Sequence, residues 1–190
     1  MVTSQVIDFA RLQYFDSLSQ ALLSPRSEDL PRQLDKAMDA IIALAVEIGT
    51  NTSALESIRP WEYRTTNDRI PEYALLFTGD TALRMTESGY TGRNVYEELT
   101  QTYATEEIGI SREIPFAMDH LGIQLAFMGV LVMRNEGKKA NAHWCQHIAP
   151  WINTFIDRLL AHESLHDYRV VAESLRAVAR LEDELKRFYA

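Results

Sequence analysis

The sequence predicts an all-α protein, a helical bundle of two closely packed lobes, from three observations. Apolar residues recur at intervals of three and four almost throughout the chain, which is the period of one face of an α-helix. Runs of alternating apolar and polar β-branched residues, typical of strands, are missing. With 190 residues, of which 46% are hydrophobic, the chain is long enough to bury a core without disulfides.

Two long helices are predicted in the first quarter of the chain. The first covers residues 4–23 and stops before Pro25, because proline cannot continue a helix. The second follows Ser27, whose side chain is predicted to cap it, and ends at Gly49. From residue 50 to residue 92 repeated prolines and glycines predict short helices and loops, where binding sites often lie.

The rest of the chain is predicted to form the second lobe and the end of the first. A helix from about residue 93 to 107 precedes a connector at residues 111–115, so we place an N-terminal lobe at 1–110 and a C-terminal lobe at 111–190. Three further helices are predicted: 116–135, 138–162 with a kink or a break at Pro150, and a last one from about Val170 towards the C-terminus.

Charge and motif content exclude several classes of function. The net charge is −8 and no cluster of lysines and arginines is present, so nucleic acid is not expected as a partner. An acidic surface favours encounter with a basic protein segment, although it also serves solubility. A Walker-type loop, a G-x-G-x-x-G motif and a G-x-S-x-G motif are all missing, so we expect no cofactor.

The composition also predicts the compartment. Cys145 is the single cysteine, which excludes an internal disulfide and a cysteine zinc cluster and suits a reducing compartment. The first residues do not read as a secretion signal, and the apolar runs are too short to span a bilayer. We therefore expect a cytoplasmic protein without stable membrane insertion.

One short string suggests a zinc hydrolase instead. Residues 162–166 read His-Glu-Ser-Leu-His and match H-E-x-x-H, in which two histidines one helical turn apart bind zinc and the glutamate activates water. Glu182 or Glu184 would be the third ligand, and His143 with His147 form a second pair at helical spacing. Because the string falls at a predicted helix junction and no strand is predicted to hold a peptide substrate, we treat this enzyme function as the weaker alternative and expect no bound metal.

Four blocks of sequence resemble those of a known family. Residues 118–128 read Met-Asp-His-Leu-Gly-Ile-Gln-Leu-Ala-Phe-Met, similar to the Asp-His signature of the TorD-like chaperones of molybdenum-containing redox enzymes, with Gln124 where the family usually has an acidic residue. Leu-Phe-Thr-Gly at 76–79, Glu-Ser-Gly-Tyr at 87–90 and His-Ile-Ala-Pro-Trp at 147–151 resemble further blocks in order and approximate spacing. The family commonly has a proline-rich stretch after its Leu-Phe-x-Gly block, and residues 80–86 here contain no proline.

The resemblance implies an all-helical, non-catalytic protein that binds the N-terminal leader, often a twin-arginine signal peptide, and the apoprotein of a molybdopterin-containing oxidoreductase. A monomer or a domain-swapped dimer is compatible with this expectation. The positions expected to bind the leader are these: Asp119, His120, Gln124, Phe77, Leu76, Gly79, Tyr90 and Pro115.

Helical spacing allows two interpretations of the Asp-His block. Asp119 is predicted either to cap the helix that follows it or to contact the ligand. His120, Gln124 and Phe127 are spaced along one helix face beside a core face, which suits a groove for a signal peptide but also ordinary core packing. Trp151 and Phe155 are expected in the core, because they recur at helical spacing among apolar residues.

Overall fold

Helices account for almost all regular structure in the computed structural model, which describes residues 4–50, 66–79, 82–109 and 115–189. The described residues form the following α-helices: α1 (Ser4–Leu23), α2 (Leu30–Ile48), α3 (Thr66–Phe77), α4 (Glu87–Thr91), α5 (Tyr96–Thr105), α6 (Leu121–Met133), α7 (Gly137–His143), α8 (Ile152–Leu160) and α9 (Tyr168–Tyr189). A π-helical turn at Trp144–Ile148 continues α7. No strand forms within these ranges, and their β pairing is one antiparallel bridge between Thr86 and His120. The all-α prediction is confirmed.

Helix α1 lies at the centre of the bundle. It packs along α2 on one side and along α6 on another, and α9 closes the core against α8, α2 and α1. Burial of apolar side chains from all these helices in one continuous cluster is the main stabilising contribution. The α1 residues buried there include Ile7, Tyr14, Phe15, Leu18 and Leu22.

A buried ion pair joins α1 to α9. The Arg11 guanidinium donates from Nε and Nη2 to the two carboxylate oxygens of Glu182, at 3.0 and 2.8 Å, and the Tyr14 hydroxyl donates to the same carboxylate. All three side chains are fully buried. Glu182 is thus engaged in core packing, which corrects its alternative assignment as a zinc ligand.

Glu72 of α3 caps α9 from outside that helix. Its carboxylate accepts hydrogen bonds from the backbone N–H groups of His166, Asp167 and Tyr168 at 2.8–3.0 Å. These donors lie at the start of α9, where N–H groups have no partner within the helix. The contact fixes the C-terminal helix to the segment that leads into residues 76–79.

Several predicted boundaries were wrong, each for a local reason. Helix α2 begins at Leu30 with Asp29 at its N-cap and no side-chain cap, so Ser27 does not cap it; the Ser27 carbonyl instead accepts from Leu30 N–H and from Arg69. The helix expected from residue 116 begins at Leu121, because Asp119 and Leu121 form hydrogen bonds with residues 85–88. The range 138–162 is interrupted around Pro150, as predicted, because proline has no N–H to donate, and it consists of α7, the π turn and α8.

The predicted lobe boundary stays a prediction, because the proposed connector lies outside the described residues except for Pro115. Among the described residues, no helix is both long enough and apolar enough to cross a membrane.

Candidate functional site

Two segments that are far apart in sequence meet at the start of α6. The Leu121 N–H donates to the Met85 carbonyl at 2.7 Å, and the Glu87 N–H donates to the Asp119 carbonyl at 3.1 Å. These bonds place the Asp-His pair directly against the N-terminus of α4.

Asp119 caps α4 rather than the helix that follows it. Its Oδ2 accepts a hydrogen bond at 2.9 Å from the backbone N–H of Ser88, the second residue of α4. Asp119 is 6% exposed, and its carboxylate lies at the positive end of a short helix, where an acidic group is favoured. The prediction that Asp119 caps α6, the helix that follows it, was therefore wrong. Asp119 is a capping residue, but the helix that it caps is α4.

His120 is the N-cap residue of α6. Its Nδ1 accepts from the Gly122 N–H at 3.1 Å, so in the neutral imidazole the proton lies on Nε2. Nε2 is buried and makes no hydrogen bond with the described residues, and the Phe116 ring lies 4.6 Å from the imidazole. Burial lowers the pKa of His120 to about 4, although the Asp119 carboxylate opposes this change. At neutral pH His120 is thus an uncharged donor.

Gln124 completes the polar centre of the site. Its side chain is fully buried, with Nε2 donating to the Asp119 carbonyl at 3.0 Å. Its Oε1 is buried and forms no hydrogen bond within the described part of the chain. A buried polar atom without a partner is costly, so His120 Nε2 and Gln124 Oε1 are a donor and an acceptor that a ligand or water can satisfy.

Gly122 lets α1 come close to this centre. A Cβ at this position would lie 2.7 Å from Leu23 Cγ, closer than real Cβ contacts. The Ser19 hydroxyl also donates to the Gly122 carbonyl at 2.9 Å. The absence of a side chain at Gly122 therefore permits the first turn of α6 to pack against the end of α1.

An apolar cavity of about 160 Å³ lies beside the polar centre. Its walls come from the ends of α1 and α5, the segment after α5 and one face of α6: Leu23, Tyr103, Ile108, Gly109, Ile123, Ala126, Phe127 and Val130. Ile123 and Phe127 lie three and seven residues after His120 on α6, and the Tyr103 hydroxyl donates to the Met118 carbonyl at 3.0 Å. The polar centre and the apolar cavity thus use neighbouring residues of α6, and the cavity lining does not include Asp119, His120 or Gln124.

The predicted aromatic site residues pack into a half-buried row instead of this cavity. The Phe77 ring lies 5.5 Å from Tyr168 and 6.4 Å from Phe155. Tyr90 stacks on Trp151 at 5.2 Å, and the Arg158 guanidinium lies 5.2 Å above the Tyr90 ring.

The remaining predicted positions differ in exposure. Leu76 is fully buried, whereas Gly79 and Pro115 are exposed. Gly79 has φ +102°, a conformation that L side chains rarely adopt. The structure thus brings Asp119, His120 and Gln124 together. The aromatic row and the exposed positions are not part of this polar centre. Trp151 and Phe155 are buried in the core, as predicted.

A buried contact beneath α4 was missed by the sequence analysis. Glu87 is fully buried, and its Oε2 lies 3.1 Å from Nδ1 of His147 in the π turn. The Arg93 guanidinium lies 3.7 Å from the other carboxylate oxygen. No local pattern predicts this contact, since the glutamate and the histidine are 60 residues apart.

The two histidine pairs differ in their surroundings, and the rings of His143 and His147 lie 4.8 Å apart. His147 contacts Glu87, while His143 packs 4.8 Å from the Phe127 ring, and burial lowers the pKa of His143 to about 3. His162 and His166 lie in the turns between α8 and α9, where the Ser164 N–H donates to His162 Nδ1 at 3.3 Å. The described residues contain no group of three or more side chains suited to a metal ion.

Comparison with known families decides the assignment. The family model described as nitrate reductase delta subunit matches residues 32–157, about two thirds of the chain. The chain belongs to the nitrate reductase delta subunit family. This is a family of chaperones for the maturation of molybdenum-containing oxidoreductases, so the resemblance to TorD-like chaperones is confirmed.

The matched range covers every position predicted to bind the leader and leaves α1 and α9 outside it. No curated protein matches the sequence.

Proposed function

We propose that this delta-subunit family member is a cytoplasmic chaperone that binds the N-terminal leader, twin-arginine signal peptides included, and the apoprotein of a molybdopterin oxidoreductase. Binding holds back export or membrane attachment until the cofactor is inserted, as anaerobic respiration with such an enzyme requires. The observation that carries the proposal is the polar centre of Asp119, His120 and Gln124 at the start of α6, the helix that also lines the apolar cavity.

The polar centre supports binding of a peptide segment. His120 Nε2 and Gln124 Oε1 offer one donor and one acceptor that have no partner among the described residues, which is what a backbone amide or a polar side chain of a leader needs. The Asp119 carboxylate adds negative charge beside them, and a charge-assisted hydrogen bond to an arginine would be stronger than a neutral one.

The apolar cavity supports binding of the leader's hydrophobic segment. Its lining is almost entirely apolar and contains the adaptable or flat side chains of Ile123, Phe127 and Tyr103. About 160 Å³ accommodates one or two apolar side chains, and their burial would supply most of the binding free energy.

A peptide-binding experiment tests the proposal. Fluorescein-labelled leaders of the host's molybdopterin oxidoreductases are titrated with the chaperone, and anisotropy is measured. We expect one leader to bind and Ala126→Phe, which fills the cavity, to weaken it by roughly tenfold or more. Ala177→Phe, at a half-buried position on α9, is the matched control. If no leader binds, or if both variants weaken binding equally, the cavity is not the leader site.

Two further measurements, of bound zinc and of retained apoprotein, separate the two alternatives. A zinc hydrolase is disfavoured by the non-helical backbone at residues 162–167, and stoichiometric zinc that is lost in His162→Ala would revive it. A general helical adaptor would bind none of the leaders and would retain no molybdoenzyme apoprotein.

A further inference from the structure

The outer face of α2 carries a symmetric row of four residues, which we call the seam. Lys36, Ala40, Ala43 and Glu47 follow one another at intervals of four, three and four residues, so they lie in one row along the helix. The two middle side chains of the row are small, and the two end side chains carry opposite charges. The ends are about 17 Å apart at the rise of an α-helix. Lys36 and Glu47 are exposed, and neither forms an ion pair with another described residue.

The seam forms one wall of a groove of about 610 Å³ between α1 and α2. The other wall consists of Val6, Phe9, Ala10 and Gln13 of α1. Phe9 is 66% exposed, and Val6 is 50% exposed. Large apolar side chains that are exposed along a helical groove are typical of surfaces that bind another helix.

We infer that this groove is the interface of a two-fold symmetric dimer of the chain. In such a dimer the two α2 helices cross in antiparallel orientation, and each surface residue meets its counterpart across the axis. The axis would pass between Ala40 and Ala43, whose small side chains allow close approach of the helices. Lys36 of each copy would then face Glu47 of the other, so the dimer would contain two such contacts.

The charge order of the seam favours a second copy over another occupant. Reversing the direction of the seam exchanges Lys36 with Glu47 and Ala40 with Ala43, so these four positions are complementary to themselves in charge and in size. Asp39, which also lines the groove, lies outside the row. The Phe9 side chains of both copies would be covered at the same time. This inference is independent of the leader-binding proposal, since the seam and the polar centre on α6 share no residue.

Charge reversal tests the arrangement. Analytical ultracentrifugation of the full chain is expected to show a concentration-dependent dimer, and Lys36→Glu and Glu47→Lys are each expected to weaken it by roughly tenfold. An equimolar mixture of the two variants should regain dimerisation, because every contact across the axis is again attractive. Phe9→Asp should give a monomer, whereas Met133→Asp, at an apolar position 62% exposed elsewhere, should dimerise as the wild type does.

Circular dichroism of each variant shows whether it is folded. A wild-type chain that is monomeric at every concentration would overturn the inference. So would a dimer that none of the groove variants weakens, as expected of a domain-swapped dimer, or a mixture that stays as weak as its components.

Discussion

The Asp119 carboxylate accepts a hydrogen bond from the backbone N–H of Ser88, 31 residues earlier in the chain, at 2.9 Å. This bond makes the N-termini of α4 and α6 one unit, since the Asp119 carbonyl also accepts from Glu87 N–H and from the Gln124 side chain. The same residue therefore stabilises the fold and lies in the proposed leader site, so replacing it with alanine would affect both.

Two substitutions at Asp119 separate these roles. Asp119→Asn keeps an oxygen for the Ser88 N–H and removes the charge, so the free energy of unfolding should change by less than about 1 kcal/mol. Asp119→Ala removes the cap and should lower that free energy by about 1–2 kcal/mol. If the charge contacts basic leader residues, both variants bind the leader more weakly. Urea unfolding measures the effect on stability and peptide anisotropy the effect on leader binding, with the exposed Asp29→Asn as control. If Asp119→Asn binds the leader with wild-type affinity, Asp119 has a capping role only.

Glu72 is expected to stabilise the position of α9. Glu72→Ala leaves three N–H groups at the start of α9 without their acceptor, and we expect the free energy of unfolding to fall by about 2–3 kcal/mol. Glu72→Gln keeps one carbonyl oxygen and should cost less. Urea unfolding followed by circular dichroism measures both, with the exposed Glu184→Ala as control. Equal stability of Glu72→Ala and the control would show that water replaces the carboxylate at no cost.

The buried pair of Arg11 and Glu182 should behave as a unit. Glu182→Leu leaves a buried guanidinium without its carboxylate, which should cost about 3–5 kcal/mol of unfolding free energy. Adding Arg11→Met removes the unpaired charge and should recover about half of that loss or more. Thermal and urea unfolding of the single and double variants measure this coupling. A double variant less stable than Glu182→Leu would contradict it.

Two buried histidines predict sensitivity to acid. The pKa of His120 is lowered from 6.5 to about 4 and that of His143 from 6.5 to about 3, mainly by burial. As pH falls below 6.5 the unfolded chain takes up these protons before the folded chain does, so stability is lost, by roughly 2 kcal/mol for each histidine down to pH ~5. His143→Gln should remove about half of the combined loss. Urea unfolding at pH ~7 and ~5 measures it, and an unchanged pH dependence in this variant would show that His143 is not the source.

Periodicity predicts the helices that pack by one apolar face, and it does so well for α2 and α9. It fails at residues 116–120, where nothing local distinguishes the segment from the helix after it. The start of α6 is fixed by the bonds from Asp119 and Leu121 to residues 85–88, and such long-range pairing leaves no periodic signal.

The polar centre was predictable from the order of residues in the Asp-His block, but its contacts were not. Glu87, His147 and Glu72 act through partners 60 or more residues away, and a glutamate on a helix is usually exposed. The sequence therefore indicates where the proposed site lies, while the folded chain is needed to show which contacts position its residues.

Affinity capture from the host, grown anaerobically, tests the central claim most directly. The tagged wild-type chain, Asp119→Asn and Ala126→Phe are each used as bait, and the bound proteins are identified by mass spectrometry. The account predicts that the wild type retains a molybdoenzyme catalytic subunit that still carries its leader, and that Ala126→Phe retains much less. Reproducible recovery of unrelated partners, without any such subunit despite its confirmed expression, would contradict the account.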